Sequence, residues 1–184
     1  SGSVWIQKGA DISSNTVNNA SLSLLFGQTV SMDSSGNRVA IGAPNMENAA
    51  GKVRVYEYSG NTWNQLGGDI NGGSAGEESG IAIDMNSDGT IVAIGASSNG
   101  SNSGKVRVYE YNGNTWTQLG NDMNGQQAQE NFGGSVSLSS NGKMIAIGAP
   151  GSDSGKGYSA IYRLLGSTWV QLGNNILGDS VTEF

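Results

Sequence analysis

The stretch GKVRVYEYSGNTWNQLGGDING at 51 to 72 returns almost letter for letter as GKVRVYEYNGNTWTQLGNDMNG at 104 to 125. Repetition at a fixed period means that one supersecondary unit is copied and stacked, because so small a unit cannot bury its apolar residues alone. The tryptophans set the period. Trp63, Trp116 and Trp169 stand 53 residues apart, while Trp5, in the matching context VWIQKGADI, precedes Trp63 by 58. In the same register FGQTVSMDSSGNRVAIGAP (26 to 44) matches SGIAIDMNSDGTIVAIGAS (79 to 97) and FGGSVSLSSNGKMIAIGAP (132 to 150). The chain divides into a terminal Trp strand with its lead-in loop (1–25), repeat 1 (26–72), repeat 2 (73–125), and repeat 3 with a C-terminal extension (126–184).

Each repeat offers four strand candidates, in the first TVSMD (29–33), RVAIGA (38–43), KVRVYEY (52–58) and TWNQLG (62–67). SSGN, SDGT and SNGK separate the first two in successive repeats, and Asx/Ser-Gly between alternating apolar residues is a strong hairpin signal. SGN, NGN and LGS separate the last two and again supply glycine where the backbone needs positive φ. The expected fold class is all-β: four-stranded antiparallel blades in about three repeats of 53 residues. A β-propeller is favoured over solenoid stacking or a β-sandwich, because the continuous apolar run VAIGA suits a strand covered on both faces. The chain reads as a piece of a longer array.

Fifteen acidic against nine basic residues give a net charge of −6, which argues against nucleic acid or an anionic membrane surface as partner. Without cysteine there is no disulfide framework and no thiolate chemistry. No apolar run approaches the length of a membrane span. With no histidine either, triads and histidine metal sites are out of reach. The carboxylates Glu77, Glu78 and Glu130 sit in loops between repeats, where the sequence shows no apolar pocket to tune them.

Phe26-Gly27 and Phe132-Gly133, followed by Gly42-Ala43-Pro44 and Gly148-Ala149-Pro150, resemble the FG-GAP repeat, a family that includes the β-propeller of integrin α subunits. The middle repeat departs from it with Ser79-Gly80 and Gly95-Ala96-Ser97. The Trp strand is similar to FG-GAP-like repeats of secreted or surface proteins of bacteria and algae. The resemblance implies four-stranded blades about a central axis and an extracellular or cell-surface location. It also implies calcium in the first hairpin, through alternate carboxylates around a glycine turn. Here Asp84, Asn86 and Asp88 make the best match, but Val92 stands at the ninth position, so the expectation is no cofactor, with calcium a minor alternative.

The functional expectation is therefore a non-catalytic extracellular recognition or adhesion module, not an enzyme. The alternatives are a structural repeat that oligomerises to close a propeller, and a lectin-like propeller. Loops after the GAP strand vary most and are the first choice for ligand contact: Asn45, Glu47 and Asn48 in repeat 1, Asn99 and Asn102 in repeat 2, and Asp153 in repeat 3. A protein or glycan ligand is the expected partner. The recurrent Trp and Tyr residues read as packing between blades, and Arg54 and Arg107 as pairing with Glu57, Glu110 or a neighbouring blade. Three blades are too few to close a ring, so self-association into a six-bladed dimer is expected.

Overall fold

A computed structural model describes residues 4–14 and 25–179. They form three successive antiparallel sheets, one per repeat, in a propeller-type arrangement of blades. In the first blade β1 (Thr29–Met32), β2 (Arg38–Ala43), β3 (Lys52–Ser59) and β4 (Thr62–Gln65) follow one another as a meander, and a short β5 (Ile70–Asn71) returns to the start of β3. The second blade repeats this with β6 (Ala82–Met85), β7 (Ile91–Ala96), β8 (Lys105–Tyr111), β9 (Trp116–Gln118) and β10 (Met123–Asn124). The third has β11 (Ser135–Leu138), β12 (Met144–Ala149), β13 (Tyr158–Leu165), β14 (Thr168–Gln171) and β15 (Ile176–Leu177). The four expected strands are present in each repeat. The two-residue fifth strand was not expected, since two residues carry too little pattern to mark one.

Side-chain capping explains the hairpin sequences. Asp33 Oδ1 accepts from the amides of Asn37 and Arg38, both at 2.8 Å, and Asn86 Oδ1 accepts from Thr90 and Ile91 at 3.0 and 2.8 Å. Asp and Asn stand where a short oxygen-bearing side chain can close the turn.

Alternation along β3 and β8 gives each blade two faces. Val53 and Val55 of the first blade pack, with Ala40 and Ile70, against Met85, Val92 and Ile94 of the second. Val106 and Val108 of the second meet Ile145, Ile147 and Trp169 of the third. The glycines of the repeat touch across these interfaces. Gly80 approaches the Cα of Gly42 to 3.4 Å from an ideal Cβ position, and a Cβ on Gly95 would lie 2.0 Å from the Gly133 carbonyl, so no larger residue fits at this crossing.

The loops after the GAP strands are turns in the left-handed region. Glu47, Asn48 and Ala49 have φ of 55, 58 and 59°, and residues 100–102 and 153–155 do likewise. Non-glycine residues resist this conformation. What offsets the strain is the direction of the carbonyls: Asn48, Ala49 and Ala50 accept from the amides of Gly76, Glu78 and Ser79 at the entry to the next blade. Ser101, Asn102 and Ser103 receive Gln129, Asn131 and Phe132 in the same way.

Residues 4–14 form no strand, although the Trp5 context matches the other Trp strands. They lie across the outer rim of the first blade, where the Trp63 indole donates to the Lys8 carbonyl at 2.7 Å. Part of the lead-in loop (15–24) and the final residues (180–184) lie outside the described residues. Among the described residues no helix is long and apolar enough to cross a membrane.

Candidate functional site

The first strands of the blades, β1, β6 and β11, pack side by side and line the inner edge of the array. Their twelve residues include one acid, Asp84. Its Oδ1 accepts from the Ser31 hydroxyl of the preceding blade at 3.1 Å and from its neighbour's amide, Met85 N, at 2.9 Å. Its Oδ2 accepts from Leu138 N of the following blade at 2.7 Å. One carboxylate thus ties three blades together, and serines occupy the equivalent positions in the other two, Ser31 and Ser137. A carboxylate has about four lone-pair sites, so this one keeps capacity for a further donor.

Asn86 and Asp88, the other residues of the candidate calcium loop, stand apart from it in role. Asn86 is buried and closes the hairpin, while Asp88 accepts from the Thr90 amide and hydroxyl at 3.1 and 2.5 Å. The Thr90 hydroxyl, against a small opposing effect of burial, holds the Asp88 carboxyl below its usual range. Among the described residues no cluster of three or more Asp or Glu side chains is arranged to hold a metal.

The loop candidates are engaged in the blades themselves. Glu47 pairs with Lys52 Nζ at 2.7 Å, and Asp153 pairs with Lys156 at 2.9 Å. The carbonyls of Asn48 and Asn102 serve the next blade, Asn99 O closes its own turn by accepting from Gly104 N at 3.0 Å, and Asn45 begins the first of these turns. Each candidate stays with its own blade or the one that follows.

Two acids that the sequence left without a pocket are the most buried among the described residues: Glu77 is 1% and Glu130 4% exposed. Glu77 Oε2 accepts from the amides of Gly73 and Ser74 at 2.7 and 3.0 Å, and its Oε1 accepts from Arg107 at 2.5 Å. Arg107 also reaches Asp122, which pairs with Lys105 at 2.9 Å. In the first blade Arg54 and Lys52 converge on Asp69, both at 2.8 Å. Burial opposes ionisation of Asp69, but the hydrogen bonds from Arg54, Lys52 and Gln65 outweigh it and hold the carboxyl well below its usual range. Arg54 and Arg107 therefore do pair, as expected, but with partners other than Glu57 and Glu110; Glu57 belongs to Arg38. The signal that could have found these acids is their recurrence one period apart, at 77 and 130.

The aromatic residues divide between packing and exposure. Trp169 is 3% exposed, Trp63 and Trp116 are half-buried, and Trp5 is fully exposed. The indoles of Trp116 and Trp169 donate to Leu66 O and Leu119 O of the preceding blade, both at 2.8 Å.

An all-β array of four- to five-stranded blades with polar groups gathered at its inner edge is a propeller-type protein. Solved structures of similar fold include a "putative 6-phosphogluconolactonase" from Bacteroides uniformis, with a TM-score of 0.59 and 14% identity over 82% of this chain. The chain spans about 40% of that protein's length. No protein-family model and no curated protein matches the chain. The neighbour is described as an enzyme, which overturns the expectation of a non-catalytic recognition or adhesion module. The physical reason lies in what was excluded: lack of His and Cys removes triads and thiolates, but leaves hydrolysis driven by a carboxylate.

Proposed function

We propose that this chain is an arc of a propeller enzyme that opens a sugar lactone, with Asp84 moving the proton. The observation that carries the reading is the placement of Asp84, the one acid on the three innermost strands, with hydroxyls one repeat away on either side. The likeness to a protein described as a lactonase supports it. In the step proposed, water adds to the lactone carbonyl and gives its proton to Asp84. The ring C–O bond then breaks, and the departing oxygen takes that proton back. The Ser31 hydroxyl, which donates to Asp84, holds that carboxylate in place, and the Ser137 hydroxyl on the other side would donate to the charge that develops on the carbonyl oxygen.

Charge argues for a neutral sugar over a phosphorylated one. At least six of the nine basic side chains are committed to ion pairs, and the net charge is −6. A phosphate needs uncommitted Lys or Arg.

The test is turnover of gluconolactone and of its 6-phosphate, measured above the spontaneous rate. The reading expects the neutral lactone to be preferred and Asp84→Asn to lower the rate by about 10²- to 10⁴-fold, the range of general acid–base catalysis, with the melting temperature recorded alongside. Turnover no faster than the spontaneous reaction, or an Asp84→Asn variant as active as the parent, would overturn it.

The FG-GAP assignment, an extracellular or surface location and the absence of a cofactor belong to the same proposal. Support for the first two comes from the FG and GAP residues. The glycines of those motifs are the ones that touch between blades.

A further inference from the structure

Positions one period apart have the same role in the first two blades and a different exposure in the third. Val53 and Val106 are fully buried, and Ile70 and Met123 are 4% and 2% exposed, because the next blade covers them. Their third-blade counterparts are Ser159, which is exposed, and Ile176, at 63%. These two, with Ser135, Gly148 and Gly157, line an open hollow of about 580 Å³. At the other end of the array β1 is uncovered, with Val30 at 62% and Met32 at 53%, although the equivalent Met85 is 6% exposed in the second blade.

The hydrogen-bonding groups at the two ends are complementary as well. Ser34 donates through both amide and hydroxyl to the Ser87 carbonyl, and Ser87 does the same to Ser140. The pattern leaves the amide and hydroxyl of Ser140 as donors at one end and the Ser34 carbonyl as acceptor at the other. The left-handed turn at 153–155 repeats the geometry that, in the two earlier blades, delivers three carbonyls to the next blade.

We infer that the open face of the third blade is a docking surface for the first blade of a second copy of this chain, and that two copies close on each other through two such contacts. Continuity with the two interfaces already inside the chain identifies the occupant: Gly27 seats on Gly148 as Gly80 does on Gly42. The segment 4–14 bears directly on this assembly. Gly9 lies under the Trp63 ring as Gly67 lies under Trp116 and Gly120 under Trp169, so the segment holds the place of the outer strand of a preceding blade. It is a cap that the partner's residues 171–178 displace, as their Gly173 stands one period after Gly120.

Light scattering across a concentration series tests this. The expected mass rises from 18.9 kDa toward twice that value. Ser159→Arg and Ile176→Glu change exposed residues, should melt as the parent does, and should return a monomer. Removal of residues 1–14 should shift dimerisation to lower concentration. A parent chain that stays monomeric throughout overturns the proposal, and so does a dimer that survives both substitutions.

Discussion

The two interfaces inside this chain have one architecture and opposite chemistry. Between the first and second blades, Ser79 bridges to Gly51 two residues after Glu77, the buried end of a partly exposed Glu77–Arg107–Asp122–Lys105 network. Between the second and third, the same positions carry Phe132 for Ser79, Ala160 for Arg107 and Tyr158 for Lys105. A large side chain on one element thus replaces a large side chain on the other, and the volume is kept. Phe132, 1% exposed, packs against Tyr158 and Tyr162 with ring centroids 6.3 Å away in both cases. Glu130 keeps the loop-closing role of Glu77 through Gln126 N at 2.7 Å, but it accepts from the Tyr158 hydroxyl at 3.2 Å where Glu77 has a guanidinium. The lesson is that the backbone crossing of Gly42 with Gly80 and of Gly95 with Gly133 defines the interface. What fills the space beside it is free to vary so long as volume and hydrogen bonds are satisfied.

The largest effect expected from breaking this comparison is at Phe132. Phe132→Ala should cost about 3–5 kcal/mol in a denaturant titration, as large-to-small changes at buried aromatics do, whereas Ser79→Ala should change stability by well under 1 kcal/mol. If the interfaces are alternative solutions of one problem, Ala160→Arg should partly rescue Phe132→Ser, a coupling that a double-mutant cycle reads directly. Purely additive losses would mean that the two interfaces are not interchangeable.

Arg107→Met comes next. It leaves Glu77 buried without its cation, for which roughly 3 kcal/mol is expected. The matching change in the third blade has already been made by the sequence, where Ala160 stands at the Arg107 position and Glu130 has the Tyr158 hydroxyl as partner. A loss much below 1 kcal/mol would show that water reaches Glu77 and replaces the arginine.

Titration should then separate the interfaces by pH. Burial resists ionisation of Asp122, but hydrogen bonds from Lys105 and Gln118 and the charge of Arg107 prevail and lower its pKa. A carboxylate lowered on folding adds stability that is full above its unfolded value near 4 and is lost as pH falls toward the folded value. Burial, and after it the Glu130 carboxylate, push the Tyr158 and Tyr162 phenols up. A phenol raised on folding adds stability that is full below the unfolded value near 10 and is lost as pH rises past it. The polar interface should therefore loosen first in acid, below about pH 4, and the aromatic one, with two raised phenols against Tyr109 alone in the other, first in alkali, above about pH 10. Fluorescence of Trp116 or of Trp169, each kept while the other three tryptophans are changed to Phe, reports on them separately. Simultaneous loss at both extremes would show that the blades unfold as one unit.

The smallest effect is reserved for metal. Calcium or EDTA at millimolar concentration should move the melting temperature by a degree or less, because Asp84 is engaged by neighbouring blades while Asn86 and Asp88 close the turn. Binding to the folded state alone must raise stability by mass action, so a clear rise would establish a site.

What the sequence determined by itself is everything that acts within a few residues. The 53-residue period, the alternation of strands and the Asx-Gly hairpins are legible because turn chemistry and the two-residue strand repeat are local. The recurrence of Trp63, Trp116 and Trp169 pointed correctly to contacts between blades, since a residue kept once per repeat has the same neighbour each time. Only the tertiary structure decided which side chains meet. Glu77 and Arg107, in one repeat, are 30 positions apart, and Asp84 and Leu138, in neighbouring blades, are 54 apart; each pair is brought together by long-range packing that no local pattern encodes. The exchange of Ser79 and Arg107 for Phe132 and Ala160 looks like two unrelated differences in the repeats. Packing makes it one event, because both positions fill the same volume.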